Sequence, residues 1–127
     1  LAERLGLPLL VDPERFTRQT MVLPCQEAES GIRVDFILSF SPYEQEALGR
    51  AVAVRLGSTD VRFASVEDLI VHKVVAGRPR DLEDVRSLVA KNPGLDAAYV
   101  ERWLRAFSDT LREPLVERFD AARRCEA

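Results

Sequence analysis

The spacing of apolar residues changes along this chain, from alternation in the first half to a helical period in the second. IRVDFIL (32–38) is the clearest alternating segment: Ile32, Val34, Phe36 and Leu38 take one face, Arg33, Asp35 and Ile37 the other. That two-residue period predicts a strand. TMVLPC (20–25) predicts another, closed by the polar loop QEAESG. AVAVRL and VRFAS flank the turn cluster GSTD (57–60), which predicts a hairpin. Two short helices interrupt the strands. Asp12–Pro13 supplies an N-cap and a first-turn proline for a helix over about 13–19. SPYEQEALGR (41–50) carries Ser41, Pro42 and Glu44, a capping box, for the second.

From Ser65 the period becomes helical. Ser65 and Asp68 form a second capping box before an apolar run, and the spacing predicts a helix over 66–76. Gly77 and Pro79 break it. A helix over about 80–91 follows and ends at Asn92-Pro93-Gly94. Asp96 caps a third, about 97–111, with Tyr99, Trp103, Leu104 and Phe107 at helical spacing, a stripe that reads as core. The tail from Pro114 predicts a fourth, with Leu115, Val116 and Phe119 as its apolar side. Strands come first and helices last, which is an α+β class.

Composition bounds the function. A length of 127 residues reads as one domain, 1–127, with strands and short helices over 1–64 and helices over 65–127. Such a chain buries roughly two-thirds of its unfolded surface and needs no staple. A net charge of −3 excludes a broad basic face for duplex binding, but not a local basic pocket. Cys25 and Cys125 lie far apart with no C-x-x-C or His/Cys cluster, so they read as free thiols and not zinc ligands. No apolar run approaches the roughly 18 residues of a membrane span, no signal peptide is visible, and the cytoplasm is the expected location. LAERLG reads as the end of a helix, with Leu1 and Leu5 one turn apart and Gly6 as its stop. No N-cap precedes it, so a segment is expected upstream.

The densest chemistry lies in VHKVVAGRPRDLEDV (71–85), which holds His72, the one histidine, and Lys73, one of two lysines. At about 100° per residue, Lys73 projects between Leu69 and Ile70 on the apolar arc, whereas His72 and Asp68 fall outside it. On the next helix Asp81 falls between Val85 and Leu88, and Asp84 lies at the edge of the apolar arc. A lone inward ammonium is costly. One account is a buried Lys73–Asp81 pair that serves only the fold. The other makes Lys73, with Arg78 or Arg80, the wall of an anion pocket in which Asp81 orients the lysine. Asp35 is open in the same way, either a cross-strand ion pair with Arg33 on a solvated face or a metal-binding carboxylate. His72 lacks a nucleophile in any recognisable motif and reads as structural. Glu67 and Asp68 read as first-turn acids that complement the helix dipole.

GIRVDFILSFSPYEQEAL, then VRFASVEDLIVHKVVAGRPRDLEDVRSLV, then YVERWLRAF, resemble the minimal nucleotidyltransferases of the AbiEii toxin type, over residues 12 to 120. The resemblance implies a small mixed β-sheet flanked by helices with a C-terminal helical bundle. It implies transfer of a nucleotide from an NTP to an acceptor such as tRNA, by Mg²⁺-dependent chemistry. Asp35 then matches a catalytic, metal-binding carboxylate, and Lys73 a triphosphate-facing lysine. Arg80 with Asp81 and Asp84 matches a late basic–acidic motif, beside Arg78. The pattern's first motif, Gly-Ser followed by Asp-x-Asp, is missing: Gly57–Ser58 sits in the hairpin turn after Asp35, and no Asp-x-Asp follows it. Truncation at the N-terminus is therefore expected, and this chain alone is expected to transfer no nucleotide. The alternative is a degenerate partner-binding module. A cognate antitoxin and a homodimer are the further partners the resemblance and the open sheet edge bring in.

Overall fold

The structure, a computed structural model, describes residues 3–124. Leu1 and Cys125 lie outside that range. The chain, read as one domain from its length, divides into two compact units, Leu1–Gln45 and Glu46–Ala127. The α+β class expected from the sequence is present: strands dominate the first part and helices the second.

The first unit begins with a short 3-10 turn at Glu3–Leu5, which Gly6 ends at φ +65°. Helix α1 (Pro13–Thr20) follows, capped by the Asp12 carboxylate, which accepts from the Arg15 N–H at 3.1 Å. It runs one residue beyond the expected end, and Met21 closes it in a left-handed conformation. Strand β1 therefore starts late, at Val22–Gln26, and pairs antiparallel with β2 (Arg33–Ile37). The segment Pro8–Leu10 lies along the other edge of β1, where the Leu10 N–H donates to the Pro24 carbonyl and the Gln26 N–H to that of Pro8, each at 3.1 Å. Cys25 is fully buried between these neighbours.

Helix α2 (Pro42–Arg50) carries the expected capping box: the Glu44 N–H donates to Ser41 Oγ at 3.2 Å, and the Ser41 N–H returns to Glu44 Oε2 at 3.0 Å. After it, β3 (Val52–Leu56) and β4 (Thr59–Phe63) form an antiparallel hairpin. Its turn is tighter than the expected GSTD, because Leu56 already pairs with Thr59 and only Gly57 and Ser58 lie between. Gly57 meets the turn's demand with φ +61°. Pairing places Val52, Val54, Leu56, Val61 and Phe63 on one face of the hairpin. Most of that face is exposed, Val52 by 53% and Leu56 by 54%.

Four helices complete the second unit: α3 (Val66–Ala76), α4 (Pro79–Lys91), α5 (Ala97–Leu111) and α6 (Leu115–Arg124). Pro79 is the first residue of α4, where a missing N–H costs nothing. Helix α3 packs on α4, α5 and α6. Ile70, Val71 and Val74 meet Val85, Val100, Leu104, Leu115 and Phe119 in a core from which solvent is almost absent. Among the described residues, no helix is long and apolar enough to cross a membrane.

Candidate functional site

The α3–α4 hairpin gathers the charges of VHKVVAGRPRDLEDV. Packing on three helices widens and shifts the buried arc of α3, which runs from Ile70 through Val74 and Val71 to Asp68. Leu69 is exposed, and Lys73 sits at the rim of the arc with 22% of its side chain open to solvent. The lysine is therefore half inward, where the sequence predicts it between two buried neighbours.

Its main partner also differs. Lys73 Nζ donates to Asp84 Oδ2 at 2.6 Å and lies 3.6 Å from Asp81 Oδ1. Asp81, buried on α4, is clasped mainly by Arg78, whose Nε donates to Asp81 Oδ2 at 2.6 Å. The expected Lys73–Asp81 pair is thus one edge of a four-residue chain, Asp84–Lys73–Asp81–Arg78. The register of the hairpin explains the shift. Asp81 and Asp84 are one helical turn apart and Lys73 reaches both, but Arg78 is three residues from Asp81 on its own turn and takes that carboxylate first. The bond from Asp84 raises the Lys73 ammonium pKa above its ordinary value, with Asp81 adding to the effect against partial burial. Arg78 holds the Asp81 carboxyl below the usual carboxylate range, again against burial, and Asp81 in turn raises Arg78. Lys73, Arg78 and Asp81 are therefore charged at neutral pH. Arg80 is exposed at the start of α4.

The structure thus brings Lys73, Arg78, Asp81 and Asp84 together. Asp35 belongs to the first unit. Its two carboxylate oxygens accept from Arg33 Nε at 2.9 and 3.1 Å. The partner is the expected one, but it lies two residues along the same strand and not across the sheet. Among the described residues, no group of three or more His, Cys, Asp or Glu could hold a metal ion. A single carboxylate already engaged by a guanidinium does not fit a Mg²⁺ site by itself, since such a site draws on several oxygen ligands.

A second cluster went unread in the sequence. Asp68 does more than complement a helix dipole: it is buried, and it accepts from Ser65 Oγ at 2.6 Å and from Tyr99 Oη at 2.7 Å. The guanidinium of Arg50, at the end of α2, lies 3.9 Å above the Tyr99 ring and 3.7 Å from Asp68. Arg50 also donates to Glu67 at 3.0 Å, and Glu67 accepts from the Asp96 N–H at 3.3 Å. Burial pushes the Tyr99 phenol well above its ordinary pKa, and Asp68 adds to this. The signal for this cluster was present in part, since Tyr99 heads the α5 stripe and Ser65-x-x-Asp68 opens α3. Nothing local in the sequence marks Arg50 as their partner. The arrangement ties α2, α3 and the start of α5 together through buried polar bonds. His72 is exposed on α3.

A family model described as nucleotidyl transferase of unknown function (DUF2204) matches residues 17–121. No curated protein and no solved structure matches the chain.

Proposed function

The chain belongs to that nucleotidyl transferase family, and from this premise we propose that its α3–α4 hairpin binds the phosphates of a nucleoside triphosphate. The observation that carries the reading is the setting of Lys73. Its ammonium is oriented by Asp84 at 2.6 Å and Asp81 at 3.6 Å, yet keeps an open side, with Arg78 and Arg80 on the adjoining turn. Three cations, Lys73, Arg78 and Arg80, gather on this turn beside the carboxylates of Asp81, Glu83 and Asp84, in a chain of net charge −3. Lysine meets phosphate as a point charge and arginine as a bidentate fork. The AbiEii resemblance extends the reading to nucleotide transfer onto an acceptor, with tRNA as the acceptor class and an antitoxin as a partner. Asp35 is the carboxylate that this reading assigns to the transfer chemistry. The metal ligands of such a reaction are not assembled by the described residues, so the property proposed for this chain by itself is phosphate binding.

Two lysines make the test direct. An amine-reactive reagent labels Lys73 and Lys91, and an NTP with Mg²⁺ is expected to protect Lys73 and leave Lys91 unchanged. Lys73→Met is expected to lose NTP affinity with helical circular dichroism retained. Equal labelling with and without each of the four NTPs, or full affinity in Lys73→Met, overturns the reading.

Two observations favour a second reading, a partner-binding module without catalysis. Asp35 is occupied by Arg33, and the β3–β4 hairpin turns Val52, Val54 and Leu56 outward. On that reading no NTP protects Lys73.

A further inference from the structure

We infer that Arg118 is a positioning residue for the α3–α4 turn, bracing the backbone that presents Lys73 and Arg78; this rests on the phosphate-binding reading above. The last turn of a helix leaves carbonyls without intrahelical donors. Arg118, on α6, supplies one of them: its Nη1 donates to the Val74 carbonyl at 3.0 Å across 44 residues of sequence. Its Nη2 is held by Glu113 at 2.6 Å, so the guanidinium is fixed from both sides. Between these contacts it passes Gly77 closely. A Cβ at residue 77 would stand 2.6 Å from Arg118 Nη1 and 3.1 Å from its Cζ, far inside van der Waals contact. Gly77 also closes α3 at φ +64°, a conformation that side chains resist. The glycine thus meets two demands, the left-handed stop and the passage of the arginine.

The braced backbone is the backbone of the site. Val74 follows Lys73 directly, the Gly77 N–H donates to the Lys73 carbonyl at 2.9 Å, and Arg78 follows Gly77. A planar fork can serve the Val74 carbonyl and the Glu113 carboxylate together; a lysine at 118 could serve only one. Arg118 acts through these residues and is assigned no contact with the nucleotide.

The test uses the full chain and the variants Arg118→Met and Arg118→Lys. Three quantities are measured: affinity for MgATP and the other NTPs, melting temperature, and amide hydrogen exchange at Gly77. Arg118→Met is expected to bind about tenfold more weakly, the low end of what losing a supporting residue costs. Gly77 exchange should accelerate and the melting temperature should stay close to that of the parent. Arg118→Lys should fall between the two. If Arg118→Met does not fold, Glu113→Gln releases one anchor with little change in volume and should shift affinity and exchange in the same direction. Parent-like affinity and parent-like Gly77 exchange in the folded variants overturn the inference. If the parent binds no NTP, the phosphate-binding reading fails separately, and Gly77 exchange alone decides whether Arg118 braces the turn.

Discussion

Tyr99 Oη donates to Asp68 Oδ1 at 2.7 Å, linking the first turn of α5 to the first turn of α3 across 31 residues. Both groups are buried. Tyr99→Phe keeps the ring beneath Arg50 and leaves a buried carboxylate one donor short. The expected loss is about 1–3 kcal/mol of stability, read from urea unfolding. The pH dependence has a definite sign. The folded phenol pKa lies above its ordinary value of 10.0, so this stabilisation is complete below pH 10 and fades as pH rises beyond it. Tyr99→Phe should remove the part of the alkaline stability loss that tracks a late tyrosine ionisation.

Gly77→Ala should cost more than Gly57→Ala. Both glycines have positive φ, which costs an L residue about 1–2 kcal/mol. At Gly57 a new Cβ meets open space, whereas at Gly77 it meets Arg118. In an Arg118→Ala background the excess at Gly77 should disappear. A double-mutant cycle by thermal unfolding measures that coupling, and additive effects would show that the guanidinium moves aside at no cost.

Glu27 organises the turn between β1 and β2. Its carboxylate accepts from the Ser30 N–H and Ser30 Oγ, both at 2.6 Å, and from the Glu29 N–H at 3.1 Å. The Ser30 hydroxyl leads in lowering its pKa to about 2 from an ordinary 4.5. A depressed acid stabilises the fold above its unfolded value, so the contribution is present above pH 4.5 and lost as pH falls toward 2. NMR titration should show Glu27 keeping its charge below pH 4.5 and taking up its proton only as pH falls toward 2, and Ser30→Ala should move that midpoint upward.

Phe119 is fully enclosed in the second unit, whereas Leu111 is 49% exposed. Phe119→Ala should cost about 3–5 kcal/mol through lost burial and an unfilled cavity. Leu111→Ala should stay within about 0.5 kcal/mol. Denaturant melts followed by circular dichroism compare the two; equal losses would move the core elsewhere.

The ends of α3 and α5 were legible because their caps are local: Ser65, Gly77 and Asp96 each act within a few residues of where they sit. So was the alternation of β2, with Val34 and Phe36 half-buried and Asp35 outward. The partner choice in the candidate site was less legible. Helical angles brought Lys73 toward α4, but the register between two helices decides between Asp81 and Asp84, and no single helix contains that information. Asp68 was misplaced for a related reason. Its burial follows from α5 covering that side of α3, a tertiary effect that the period of α3 alone does not carry. Arg118 left no local mark at all, because its acceptor at Val74 lies 44 residues away.

The outward face of Val52, Val54 and Leu56 has a practical corollary for anyone measuring these melts. Fluorescent reporters of hydrophobic surface should already light up with the native protein at low temperature. A dye-based thermal scan would then start from a high baseline and could fall on heating, so a flat or inverted trace would signify a well-folded sample and not a molten one.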